Sequence, residues 1–510
     1  MMQLGFALRN IRCRKSLTAS SIGGSDARHS IRSVPIRSEP MSNHESQPAT
    51  FDVIVVGAGL AGNTAALSAA ESGATVLLLE KGVQYGGSSV KAGGGMLFAG
   101  TGLQAAAGVE DDNEQLRSSI FTAGRGKNDP APVQVYLDHQ LDTFEFMRGH
   151  GVDFTLTITG TDAVSRMHAA PQGHATKVMH EKFMALDHTY YWSSSSARRL
   201  VQDAEGRITG VVLDRAEQEV VVHASAVILT SGGFARSREL LETFAPQWAE
   251  ATKMGGVDNT GDGLRMAWAV GADLADMGYV EASFGASIKN YPDLSEDPHN
   301  EPRLLYPNSQ GAIIVNRDGK RFVDENLNYK IISSICVQQP EGIGFQVFDD
   351  SMMNRSQVAP TPADFKSALA DGYVIAADTV EELAEKLQIE PSKLRATIDA
   401  YNGFVDEGVD PEFGRLLSDY GSAQGGHLDT APYYAFPCRS GLTTTYCGVR
   451  VDEQLNVVDV FGEPIPGLFA AGEVVGGFHG ATYLSGTGLG KAGVFGRAAG
   501  LYSVAQLPRS

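Results

Sequence analysis

An α/β fold with a Rossmann-like nucleotide-binding domain is the class this sequence predicts, and three observations predict it. Residues 52–81, DVIVVGAGLAGNTAALSAAESGATVLLLEK, carry a complete βαβ pattern. It comprises an apolar run from Asp52 to Val56, glycines at 57, 59 and 62, an Ala-rich helix, and a second strand, Thr75 to Leu79, ending in the acid Glu80. The chain has 510 residues and 43% hydrophobic content, enough to bury a sizeable core and to build more than one domain. Near Gly278 its character changes: Pro292, Pro298, Pro302 and Pro307 break up a polar segment and mark a second unit.

The first strand, turn and helix explain each other. Gly57 permits the tight turn, Gly59 lets backbone approach a pyrophosphate, and Gly62 lets the helix pack on the strand. The helix N-terminus offers N–H groups and a positive dipole to phosphates. Glu80, 23 residues after Gly57, stands where a carboxylate accepts hydrogen bonds from ribose hydroxyls and disfavours a 2′-phosphate. This much leaves FAD and NAD both open. Two further glycine turns follow, Tyr85-Gly86-Gly87-Ser88-Ser89 and Ala92-Gly93-Gly94-Gly95-Met96, which suit a longer, bent dinucleotide.

With these turns the chain resembles the fumarate reductase and succinate dehydrogenase flavoprotein superfamily, which includes 3-ketosteroid dehydrogenases and tricarballylate dehydrogenase. The resemblance runs from about Phe51 to the C-terminus. It implies a Rossmann-like FAD-binding domain with an inserted α+β capping domain that closes over the flavin. Expected at the FAD are Gly57, Gly59, Ala61, Gly62, Glu80, Lys81, Gly87, Ser88, Ser89, Gly94 and Gly95. Relatives that bond FAD covalently use a histidine in the segment matching Gly86 to Gly95. This chain has Ser88, Ser89, Val90 and Lys91 there, so non-covalent FAD is expected.

Charge and composition narrow the partners. The net charge is −19, and residues 1–40 hold seven Lys and Arg against two Asp and Glu, which leaves about −24 to the rest. Such an acidic body is a poor match for nucleic acid or an anionic membrane, and no apolar run reaches the length of a span. A soluble, cytoplasmic protein is expected. Residues 1–50 are rich in Arg and Ser and lack an apolar signal core. They read as a disordered tail, as a false start before Met41, or as an organelle transit peptide, which would place the protein in an organelle matrix. Cys13, Cys336, Cys438 and Cys447 show no C-x-x-C, and the twelve histidines show no compact metal signature, so no metal site is expected. Electrons then pass through the flavin to or from a separate, unidentified acceptor or donor.

Further along, Asp129 to His150 reads as a helix, and Arg198 to Val212 as a hairpin turning at Asp-Ala-Glu-Gly. The resemblance makes Ala226 to Thr230 a strand of the FAD sheet, ending in the pair Gly232-Gly233. Asp262 opens a helix, Leu264 to Val270, either as a plain N-cap or as a cap beside the cofactor. Gly311 to Glu325 reads as a hairpin turning at Arg317 to Gly319, and residues 392–407 as an amphipathic helix. The strand Pro464 to Phe469 is followed by Ala470-Ala471-Gly472-Glu473, then by Gly486-Thr487-Gly488-Leu489-Gly490 and a helix to Leu501. The resemblance puts Glu473 on the ribityl chain and Gly488 and Leu489 at a helix start facing the flavin. That N-terminus stabilises negative charge on reduced flavin. The expected domains are a tail (1–50), the FAD-binding domain in two parts (51–277 and 426–510), and the cap (278–425).

The resemblance also bears on substrate. Fumarate reductases clamp a dicarboxylate with two histidines and an arginine and take a proton from a second, cap arginine. Here Tyr483 stands in GGFHGATYLSG where the substrate arginine would be. Thr443 and Thr444 replace the histidine pair, and Ser283 replaces a third histidine. Arg355 is the nearest candidate for the cap acid. Tyr483-Leu484-Ser485-Gly486 instead looks like the Tyr-x-Ser-Gly segment of ketosteroid dehydrogenases acting at the Δ4(5α) position. A phenol suits a ketone oxygen, acidifying the neighbouring C–H while hydride goes to flavin N5. Tyr483, Ser485 and Tyr446 are therefore the catalytic candidates, with Tyr306 and Tyr279 as further candidate bases. The expected function is a dehydrogenase or reductase at a CH–CH bond next to a carbonyl in a small-molecule substrate. The alternatives are a tricarballylate-type enzyme, with Arg439 or Arg450 holding carboxylate, and a flavin electron relay without turnover.

Overall fold

The computed structural model describes residues 50–157, 164–280, 282–294, 302–357, 362–417 and 426–508. The N-terminal tail with Cys13 and Met41 lies outside the described residues. Strand β1 (Thr50–Val56), helix α1 (Leu60–Glu71) and strand β2 (Val76–Leu79) form the βαβ unit the sequence predicts. Val53 to Val56 of β1 and all of β2 are buried, as a parallel strand covered on both faces must be.

These strands sit inside an eight-stranded sheet. Its parallel core runs in the order Pro464–Ala470, Gln218–Leu229, β1, β2 and Thr189–Trp192, and Asn456–Val458 closes one edge in antiparallel pairing. The predicted hairpin is present as Ser195–Gln202 paired with Ile208–Arg215, which continues antiparallel onto Gln218–Leu229. That last strand is much longer than the five residues expected, because its N-terminal half serves the hairpin and its C-terminal half the parallel sheet. The helix Thr487–Ala505 packs on α1 through small residues. A Cβ on Gly500 would come within 2.5 Å of the Ala65 carbonyl, so close approach depends on glycine there.

A second sheet of six strands is organised on Tyr433–Leu442. Ile343–Asp349, Ile375–Ala377 and Ser283–Ser287 pair with it antiparallel, and Thr252–Lys253 pairs with it in parallel. One apolar layer beneath this sheet holds Leu394, Ile398 and Tyr401 of the helix Pro391–Glu407, which the sequence places within one residue. The helix predicted over Asp129–His150 spans Pro130–Gly149, with the Asp129 carboxylate accepting from the Ala131 N–H at 3.1 Å.

Two expectations are corrected. The segment Gly311–Glu325 does not form a hairpin of two strands. Ile313–Val315 pairs instead with Ile343–Asp349, and only a single bridge joins Val315 to Arg321. The return half carries Arg321, buried against Glu325 and Asp410 with each contacted at 2.8 Å, and leaving such a charge buried without its carboxylates would cost about 3–5 kcal/mol. Asp262 is not an N-cap: Gly261, with φ of 81°, takes that position, and Asp262 is the first residue of the helix Asp262–Ala269.

Candidate functional site

A cavity of about 710 Å³ runs between the two sheets, within the size range of ligand pockets. The glycine loop forms one wall. Gly57 has φ of 109°, and a Cβ there would meet the Thr230 carbonyl at 2.7 Å, so only glycine lets the loop lie against the neighbouring strand end. A Cβ on Gly62 would overlap the Gly57 carbonyl, which makes Gly62 the packing glycine and leaves Gly57, Gly59 and Ala61 lining the cavity.

Glu80 is tied into this loop. Its Oε2 accepts from the Ala58 N–H at 3.0 Å and its Oε1 from the Gly82 N–H at 2.8 Å. Ser89 Oγ accepts from the Leu60 N–H at 3.0 Å, so the second glycine turn is hung from the start of α1. Ser88 Oγ accepts from the Gly256 N–H at 2.9 Å. Lys81 Nζ donates to Thr260 Oγ1 at 2.6 Å and pairs with Asp262 at 2.7 Å, closing the wall across more than 170 residues of sequence. Glu473 accepts from the Thr444 hydroxyl, the Thr445 N–H and Asn259 Nδ2 at 2.8–2.9 Å. Gly233 does not line the cavity; a Cβ there would come within 2.6 Å of Glu473, so it makes room for that carboxylate. Gly94 also stays outside the lining, backed against the Ala170 carbonyl, whereas Gly87, Gly95, Gly232, Gly488 and Leu489 line it.

The wall carries unused hydrogen-bonding capacity. Ser231 Oγ and Asn259 Oδ1 are buried, line the cavity and have no partner, which is costly unless a ligand satisfies them. A phosphate-cradling loop, a carboxylate at the end of β2 and these two orphaned atoms fit a dinucleotide such as FAD.

The other end of the cavity is built from phenols. Tyr306, Tyr329, Tyr446 and Tyr483 line it together with His479, Ser283, Thr443 and Thr444. Tyr446 and Tyr483 have ring centroids 5.4 Å apart, His479 lies within 5.7 Å of both, and Tyr306 stacks on Tyr329 at 5.5 Å. The Tyr483 hydroxyl is acted on by the neighbouring Tyr329 and Ser485 hydroxyls. Burial pushes the Tyr483 and Tyr306 phenols above their ordinary range and drives His479 well below its own, so all three are neutral near pH 7. Lys330, from the helix Tyr329–Cys336, sits 3.7 Å over the Tyr483 ring and donates to the Tyr483 carbonyl at 2.8 Å.

The sequence-predicted residues divide accordingly. Tyr483 and Tyr446 line the cavity, and Ser485 reaches it only through Tyr483. Tyr279 is absent from the lining. Arg355 is exposed and donates to the Gln310 carbonyl, away from the cavity. Arg450 is held by Asp273 and Asp129, and Arg439 does not line the cavity. Sequence reading missed Tyr329, Lys330 and Lys491. Tyr329 lies four residues after Glu325 in the expected cap, where the resemblance pointed to an arginine and not a phenol as the proton donor.

Three comparisons place this geometry. The family described as FAD binding domain matches residues 52–489. The probable fumarate reductase Ifc3 of Shewanella frigidimarina is 31% identical over 462 residues, covering 88% of this chain and 74% of that protein. Among solved structures, the open conformation of a flavocytochrome c3 fumarate reductase superposes with a TM-score of 0.80 at 29% identity, covering 90% of this chain and 79% of that one. A 3-ketosteroid Δ4-(5α)-dehydrogenase from Rhodococcus jostii, in complex with 4-androstene-3,17-dione, gives 0.69 at 27% identity, covering 90% and 97%. With a family match over most of its length and a cavity wall that fits the cofactor, the chain belongs to the FAD-binding family of fumarate reductase-like flavoproteins and is an FAD-dependent oxidoreductase.

Proposed function

We propose that the enzyme oxidises a CH–CH bond adjacent to a carbonyl, or reduces the corresponding C=C bond, in an uncharged, ring-containing ketone. The observation that carries this reading is the lining of the cavity: four phenols converge at one end, and no arginine is present among the described lining residues. A dicarboxylate needs charged, bidentate donors. A ketone needs neutral donors placed where negative charge develops on its oxygen, and a buried phenol is such a donor.

Each residue then has a task. Tyr483 donates to the carbonyl oxygen, and the neighbouring Ser485 and Tyr329 hydroxyls orient its hydroxyl. With the carbonyl polarised, the α C–H becomes acidic, and Tyr446 or Tyr329 is the group positioned to exchange that proton. Lys330 holds the Tyr483 backbone and ring in place from the cap side. Glu80, the glycine loop and Glu473 bind FAD non-covalently and orient it along the opposite wall. When bound, the flavin supplies a hydride acceptor or donor at N5 for the β-carbon.

The test is an anaerobic screen of the holoenzyme for bleaching of the flavin band. Ketosteroids and smaller cyclic ketones are expected to bleach it, and succinate and tricarballylate to leave it unchanged. Bleaching by either carboxylate with none by a ketone would sink the proposal.

A further inference from the structure

Lys491 occupies the second turn of the helix Thr487–Ala505. Its side chain is 1% exposed and lines the cavity. Its ammonium donates to the Val475 carbonyl at 2.9 Å and lies 5.8 Å from the Phe478 ring centroid. Among the described residues it has no ion-pair partner. Glu473, the acid that attracts it most, accepts from Thr444, Thr445 and Asn259 and forms no ion pair with it. A buried cation without a carboxylate costs several kcal/mol, and a second positive charge, Lys330, acts on His479 from the other side. Such a group in a cavity wall awaits an anion.

We propose that Lys491 supplies the fixed positive charge that stabilises the negative charge taken on by the FAD ring system in reduction, and so sets the reduction potential of the bound cofactor. This rests on FAD filling the cavity and not on the substrate reading. The helix N-terminus adds to the same effect, but a dipole end carries only about half a charge, whereas an ammonium carries a full one.

The burial that leaves Lys491 unpaired also lowers its pKa to about 8. Its charge is therefore present on the acid side of that value and lost as the pH rises through it. The groups facing it from neighbouring elements are Glu473, Cys447, Asp276, His479 and Tyr136, with Arg450 and Asp129 beyond Asp276. The Cys447 thiol is held up at about 12, burial raises the Tyr136 phenol, and His479 is driven well below its ordinary value, so none of these three titrates between pH 7 and 9.

The experiment uses the FAD-loaded protein and two variants, Lys491→Met and Lys491→Arg. The readouts are the midpoint potential and the dissociation constant of sulfite, which adds to oxidised FAD and leaves the ring system with the charge it carries when reduced. Lys491→Met is expected to weaken sulfite binding at least tenfold at pH 7. It should also lower the preference for reduced over oxidised FAD by a similar factor, about 30 mV for a two-electron couple. Lys491→Arg should stay within threefold of the parent. From pH 7 to 9 the parent should lose sulfite affinity more steeply than Lys491→Met. A Met variant that holds FAD with potential and sulfite affinity within twofold of the parent overturns the proposal. So does an unchanged potential combined with weaker binding of fumarate as a carboxylate probe, which would assign the lysine to substrate. Should the Met variant lose FAD, the parent and Arg profiles decide: the parent must lose sulfite affinity more steeply than Lys491→Arg as the pH rises from 7 to 9, and coincident profiles overturn it.

Discussion

Tyr483 concentrates the substrate argument in one hydroxyl. Its ring packs against Tyr446 and His479 and lies under Lys330, so removing the oxygen leaves the packing in place. Tyr483→Phe is therefore expected to keep the flavin spectrum and FAD content while turnover falls by roughly 10²–10³, the usual loss for one oxyanion donor. Steady-state rates on the substrate found by bleaching, with absorbance to count FAD, check this. A rate within about threefold of the parent would reduce Tyr483 to a wall. Glu80 is a different case, because its carboxylate holds the loop before any ligand arrives. Glu80→Ala frees the Ala58 and Gly82 N–H groups as well as the ribose hydroxyls, and each bond to a charged acceptor is worth about 1.5–3 kcal/mol. Weaker FAD retention and a lower melting temperature of the apoprotein are both expected; retention equal to the parent after desalting would count against the assignment.

At the scale of elements, the glycines legible in sequence do two different jobs, and only packing separates them. Gly59 opens the wall to a ligand, Gly62 and Gly233 leave room for protein atoms, a backbone carbonyl and the Thr445 and Glu473 side chains, and Gly57 does both, lining the cavity while lying against the Thr230 carbonyl. Gly62→Ala should behave as overpacking, at a cost of about 1–3 kcal/mol, visible as a lower melting temperature with and without FAD. An unchanged melt would show that α1 shifts freely. The elements read correctly from sequence have local signals: for α1 the glycine spacing before an Ala-rich run, and for the helices Pro130–Gly149 and Pro391–Glu407 a cap, a proline at the first turn, or an apolar stripe. The failed hairpin after Gly311 had its turn signal too. Its return half instead carries part of a buried ion-pair network that includes Asp410, almost ninety residues away.

For the whole molecule, the cavity needs both sheets. We propose that the cap extends from about residue 278 to Leu442, since its sheet is organised on Tyr433–Leu442. FAD held in such a cavity without a covalent bond should be released entirely by acid precipitation, leaving a colourless pellet; colour retained on a peptide after proteolysis would refute non-covalent attachment. His479 is the one histidine among the described lining residues, and it is packed between two tyrosines. Among the described residues no helix is long and apolar enough to cross a membrane.

The sequence by itself determined the βαβ unit and the cofactor class, because each is written in residues close together or in fixed order, three glycines and a terminal acid; from threonines and a tyrosine in recognisable segments it led to the expectation that no carboxylate clamp is present. Tertiary structure alone decided which side chains meet at the substrate end. Tyr306, Tyr329, Tyr446 and Tyr483 come from four separate stretches, and no spacing rule relates them. It alone showed that Arg355, Arg439 and Arg450 stay outside the cavity. It also revealed Lys491, which in sequence is one more lysine on a helix and in the fold is a buried charge with no carboxylate partner among the described residues, because burial and pairing are properties of what packs around a residue.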